Sequence, residues 1–169
     1  MRKHIFLIGM MGCGKSTLGK LLSRRLSCSF IDLDEEIVRY EGRSIPEIFA
    51  EVGDAGFRLC ETAALRCAVD EAPCVIATGG GIVTREENIA LMRSAGLVVW
   101  LNRPLEEIIL HVRQDTRPNL SGDKQERMRT LFAQREALYT AAAHIQFDNS
   151  AAPEQSARML ADLIQDLTL

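Results

Sequence analysis

Lysine is almost missing from the 169-residue chain, standing only at positions 3, 15, 20 and 124. An excess of positive charge is missing too: the formal net charge is −3 and the pI is near 5.7. That balance excludes a broad nucleic-acid surface, which would be basic. No apolar run reaches membrane length and no signal-peptide pattern opens the chain, so a cytoplasmic protein is expected, free of membrane and nucleic acid. The cysteines (13, 28, 60, 67, 74) are odd in number and lack metal-ligand spacing, which reads as free thiols in a reducing compartment. There are no repeats and no linker, and length and composition (47% hydrophobic, 25% charged) suit one domain spanning 1–169. An Asn-Lys-x-Asp segment, the usual companion of guanine specificity, does not occur, which argues against a GTPase-like switch.

What is present begins with Gly9-Met10-Met11-Gly12-Cys13-Gly14-Lys15-Ser16, followed by Thr17. Every fixed position of the phosphate-binding loop pattern G-x-x-x-x-G-K-[ST] is filled. The apolar run 5–8 before it reads as a buried strand, and 18–26 after it has helical spacing. A strand turning through glycines into a helix aims backbone N–H groups and the positive end of the helix dipole at one point, where phosphate collects. Lys15 would reach the terminal phosphates and the Ser16 hydroxyl would ligate magnesium. The site is read as one for ATP or GTP. Cys13, beside Lys15 and a helix start, is expected to be the most reactive thiol, shielded by nucleotide.

Along the chain, further strands are expected at 29–34, 74–78, 97–101 and 144–147. Helices are expected at 35–40 (stopped near Gly42), 46–52, 54–71, 84–95, 104–113, 124–143 and 153–167. Thr84 and Glu87 have capping-box spacing, and 114–123, with Pro118 and Gly122, reads as an exposed loop. Short apolar strands alternating with helices indicate a parallel sheet covered on both faces, an α/β fold. Its ligands should lie at the carboxyl ends of the strands.

Only the second strand ends in acid, at Asp32 and Asp34. Residues two apart in an extended segment face the same way, so both carboxylates would point at the nucleotide pocket. Asp32 reads as the magnesium-side acid. Asp34 reads either as the group that orients or deprotonates an acceptor hydroxyl, or as the cap of the next helix. Gly79-Gly80-Gly81 reads as a flexible turn or as backbone that a second ligand approaches closely. Arg58, three residues before Glu61, reads equally as half of a surface ion pair, and Arg135 has the same alternative. Arg117-Pro118, in the polar loop, suits a mobile segment that brings positive charge over the phosphates.

Taken in order, Gly9–Thr17, the 30–34 stretch, 42–45, Phe57-Arg58 with Glu61, Gly79-Gly80-Gly81, Arg117-Pro118, and Arg135 with Leu138-Tyr139 resemble shikimate kinases along nearly the whole chain. The resemblance implies a P-loop NTPase fold like nucleoside monophosphate kinases: a three-layer sandwich, a five-stranded parallel sheet in order 2-3-1-4-5, and a mobile lid at about 112–124. The acceptor-binding region would lie at about 33–61. It implies ATP- and Mg2+-dependent phosphorylation of the shikimate 3-hydroxyl in aromatic amino acid biosynthesis. A monomer is expected. Lys15, Asp34 and Arg117 would be catalytic. Gly12, Cys13, Gly14, Lys15, Ser16, Thr17 and Arg117 would hold the nucleotide, with Arg113 and Pro153 near adenine, and Ser16 with Asp32 the metal. Asp34, Phe57, Arg58, Glu61, Gly79, Gly80, Gly81 and Arg135 would contact shikimate. Departures are Asn119 where the family usually has Leu, Leu110 where an adenine-flanking Arg is common, and Cys13 where Ala, Ser or Thr is common. The alternatives are another small-metabolite kinase of this fold or a catalytically silent nucleotide-binding paralogue.

Overall fold

A computed structural model describes residues 3–115 and 122–167. Five parallel strands, β1 (His4–Ile8), β2 (Phe30–Asp32), β3 (Val75–Ala77), β4 (Gly96–Asn102) and β5 (Ile145–Asp148), form one sheet in the order β2-β3-β1-β4-β5. Every neighbouring pair is parallel, with Ile5 opposite Val75 and Leu97 in register across the centre.

Strand alternation divides the core in two. Phe6 and Ile8 of β1 with Val98 and Trp100 of β4 face α2 (Leu33–Glu41), α3 (Ile45–Val69), α4 (Glu86–Ala95) and α6 (Gly122–Ala142). Ile5 and Leu7 with Val99 and Leu101 face α1 (Lys15–Arg25), α5 (Leu105–Asp115) and α7 (Pro153–Leu167). The three-layer α/β architecture follows, and all five strands end on the same edge. Among the described residues no helix is long and apolar enough to cross a membrane.

Three local expectations are corrected and one, the break at residue 53, is met. The second strand ends at Asp32, and Asp34 stands in the first turn of α2 rather than on the strand. The helices expected at 46–52 and 54–71 are both present: α3 is broken at Gly53, whose φ of +68° and ψ of −174° are not helical, so two helical stretches meet there. A Cβ at Gly53 would meet no atom within 4 Å, so glycine is needed there for its backbone angle and not for space. Thr84 is no cap: it closes a 3-10 turn (Ile82–Thr84), its hydroxyl donates to Gly81 O, and α4 begins after Arg85 with no side-chain cap. A capping box stands instead at Ser44 and Glu47, where one Glu47 oxygen accepts from the Ser44 amide and hydroxyl at 2.8 and 2.6 Å. The polar stretch expected at 114–123 is partly helical, α5 reaching Asp115 and α6 starting at Gly122.

Candidate active site

At the end of β1 the chain turns through Gly9, Gly12 and Gly14, all with positive φ, into α1. The first bonded amide of that helix is Leu18, donating to Gly14 O at 2.9 Å. Among the described residues the N–H groups of Gly14 to Thr17 have no protein acceptor. These are the orphan donors of a helix start, gathered with a macrodipole where an anion is stabilised. Lys15 is buried, and its ammonium donates to Gly9 O and Met10 O, both at 2.8 Å. Beside it, the Ser16 hydroxyl donates to Asp32 Oδ2 at 2.5 Å.

Asp32 has two duties. Its other oxygen accepts the Asp34 N–H at 3.0 Å, which makes it the N-cap of α2. The chain therefore leaves the strand one residue after Asp32, and Asp34 projects from the first helical turn. Burial and the neighbouring Asp32 charge raise the Asp34 pKa, against the opposing pull of Lys15 and Arg58.

Beyond the loop lies a cavity of about 810 Å³. All eight residues expected to contact the acceptor line it: Asp34, Phe57, Arg58, Glu61, Gly79, Gly80, Gly81 and Arg135. Arg58 donates to Glu61 Oε2 at 2.5 Å and to Asp54 Oδ1 at 2.9 Å, and its guanidinium lies 5.4 Å from the Phe57 ring centre. Glu61 is 1% exposed, and its Oε1 has no partner among the described residues. Burial raises its pKa while Arg58 pulls the other way. Arg135 is 9% exposed, so it is not a surface side chain, and among the described residues no carboxylate lies within ion-pair distance of it. A Cβ at Gly79 would strike Glu61 Oε1, and one at Gly81 would strike the Arg58 guanidinium. The glycine run is thus a floor that lets these two side chains lie against backbone. Tyr139, stacked on Trp100 and fully buried, donates its hydroxyl to Gly80 O at 2.5 Å and fixes that floor. Burial pushes the phenol up to about 12, so it remains a donor.

Sequence reasoning missed several groups that face the cavity. Phe49 stacks on Phe57 with ring centres 4.3 Å apart, and Asp54 pairs with Arg58. Ile45, Pro46, Lys124, Arg127 and Leu131 also line the cavity. The one signal for Phe49 was its place on the helix before Gly53, whose kink folds it back onto Phe57. Cys13 is corrected: its side chain is fully buried against α1 and β4, leaving its backbone to the loop. Pro153 begins α7 and is exposed, away from the cavity lining. Arg117, with the rest of 116–121 in the expected 112–124 lid, and the side chain of Arg113 lie outside the described residues.

A phosphate loop on a parallel sheet in this order, with an acidic and arginine-lined acceptor cavity beside it, defines a P-loop kinase for a small anionic acceptor. The family pattern described as shikimate kinase matches residues 11–165. A shikimate kinase of Geobacter metallireducens is 44% identical over 150 residues, spanning 88% of this chain and 83% of the relative. One from Nitrosomonas europaea is 44% identical over 167 residues, spanning 97% of this chain and 78% of the relative. The solved structure of shikimate kinase from Acinetobacter baumannii in complex with shikimate superposes with a TM-score of 0.91 at 35% identity, covering 99% of this chain and 95% of that one. The chain belongs to the shikimate kinase family and is an ATP-dependent kinase.

Proposed function

We propose that this chain moves the γ-phosphate of ATP to the 3-hydroxyl of shikimate in the cavity between α2, α3 and the glycine floor. The observation that carries the reading is the joining, beside the phosphate loop, of two arginines suited to a carboxylate with one carboxylate suited to a hydroxyl. Arg58 and Arg135 grip the acceptor's carboxylate, since a planar guanidinium matches two oxygens at once. Asp34 accepts a hydrogen bond from the reacting hydroxyl and takes its proton as the phosphoryl group arrives. The raised pKa suits that role, because a more basic carboxylate holds the proton better.

The free N–H groups of Gly14 to Thr17 hold the transferring phosphates. Lys15 leaves the carbonyls of Gly9 and Met10 for the terminal phosphates when nucleotide binds. Ser16 and Asp32 would hold magnesium. Two oxygen donors suit an ion otherwise carried by phosphate and water, and among the described residues no group of three or more His, Cys, Asp or Glu could hold a metal. Bound there, the ion would neutralise charge that builds on the phosphate oxygens. Arg117 supplies further charge from a lid at 112–124, supported by the polar, Pro- and Gly-containing sequence. One chain, 1–169, carries every group named, so a monomer suffices.

The test is ADP release from MgATP with and without shikimate, and with an analogue lacking the 3-hydroxyl. Release that requires shikimate and fails with the analogue is expected. Release independent of shikimate, or supported equally by gluconate, overturns the reading.

A further inference from the structure

Asn149 follows the last residue of β5, and no part of the reaction described above uses it. Its side chain is 7% exposed and its amide donates through Nδ2 to Cys13 O at 2.8 Å, across 136 residues of sequence. The arm that holds it is tied by hydrogen bonds. Asn149 N donates to Asn102 O at 2.9 Å at the end of β4, and Asp148 accepts the amide and hydroxyl of Ser150. The fit is close: a Cβ at Gly14 would lie 2.9 Å from Asn149 Nδ2, and Gly14 holds φ +95°.

The Cys13–Gly14 peptide is planar and trans, so its C=O and N–H point in opposite directions. Drawing the carbonyl toward Asn149 turns the Gly14 N–H away from it. Among the described residues that N–H has no acceptor. We propose that Asn149 is a positioning residue: by holding the Cys13 carbonyl it presents the Gly14 N–H to the nucleotide phosphates. The proposal deepens the reading in which the 9–17 loop binds those phosphates, and rests on it. Without the bond the peptide is free to rotate, and ordering it falls to the nucleotide, weakening binding by the worth of about one hydrogen bond.

The same residue stands four positions before Pro153, on the segment that leads into α7. An effect transmitted to adenine through that segment is the competing explanation, and the probes are chosen to separate the two. Affinities of Asn149→Ala and Asn149→Asp for MgADP, for inorganic tripolyphosphate and for shikimate are measured by calorimetry, alongside melting temperature. Tripolyphosphate has no base to touch α7. Asn149→Ala is expected to weaken MgADP and tripolyphosphate by the same factor, about 3- to 10-fold. KM for ATP should rise while shikimate affinity and melting temperature hold. Asn149→Asp has the same shape but no donor and adds negative charge, so it should weaken both phosphate ligands further. Loss of MgADP affinity alone, unchanged binding of both, or a parallel loss of shikimate affinity and melting temperature overturns the proposal. Wild-type protein binding neither phosphate ligand, or Lys15→Met binding MgADP normally, overturns the phosphate-loop reading itself.

Discussion

Asp32 and Asp34 are joined through backbone: the amide of Asp34 donates to Oδ1 of Asp32 at 3.0 Å, while Oδ2 of Asp32 receives the Ser16 hydroxyl. One carboxylate therefore ties the start of α2 to the phosphate loop, one oxygen to each, with lone pairs left over. The other is free to face the acceptor cavity, and the hydrogen bond between them sets its position.

Asp34→Asn should lower kcat by about 10²–10⁴-fold, the usual worth of a positioned general base. It should also stabilise the fold at neutral pH. Burial raises the folded pKa of Asp34 above its ordinary 3.8, so the folded state holds that proton more tightly than the unfolded state does. The penalty is absent below the ordinary value, grows as pH climbs through the raised one, and is complete above it. Melting temperatures of both proteins from pH 3 to 8 check this; the gap should open as pH rises.

Arg58 and Arg135 should differ in how they fail. Arg58 already faces two carboxylates, and its loss leaves Glu61, 1% exposed, without a partner. Arg58→Ala should lower melting temperature as well as shikimate affinity. Arg135→Ala should cost about 2–5 kcal/mol of shikimate binding with little change in melting temperature, and Lys should rescue it poorly, having no planar fork. Calorimetric titration with shikimate and with MgADP separates the effects; MgADP affinity should hold in both variants.

Gly81→Ala should disturb the acceptor site from its floor. The added methyl would occupy the place of the Arg58 guanidinium. Shikimate KM should rise at least about tenfold, the scale of one displaced charge-assisted hydrogen bond, with KM for ATP unchanged.

Alkylation should begin at Cys67, the exposed thiol, and reach Cys13 and Cys74 last. Burial pushes the Cys74 thiol up to about 11 and raises those of Cys28 and Cys60 as well. Peptide mapping after brief iodoacetamide treatment reads the order, and MgATP should leave Cys67 unprotected.

On the proposed function, in which Arg117 supplies charge to the transferring phosphoryl group, Arg117→Ala should depress kcat strongly and shikimate affinity little, because that charge is needed in the reacting state. Steady-state kinetics with both substrates varied measures the split.

The sequence by itself determined the phosphate loop, the alternation of strands and helices, and so the parallel sheet with its working edge. Those depend on local pattern: glycine spacing, apolar runs, and helix stops such as Gly42, the αL cap of α2. The choice between roles for Asp32 and Asp34 was not local. Both acids fit a cap by type, and which one caps depends on where β3 stops pairing with β2, at Asp32 opposite Ala77. Cys13 looked reactive from its neighbours in sequence, yet the turn of the loop sends its side chain into the core and only its carbonyl toward Asn149. The convergence of Arg135 and Arg58 on one cavity and the reach of Tyr139 to Gly80 join residues tens of positions apart, and the stacking of Phe49 on Phe57 crosses the break at Gly53. Only tertiary packing decided these, because the contacts are made by side chains that meet when the sheet brings its strand ends to one edge.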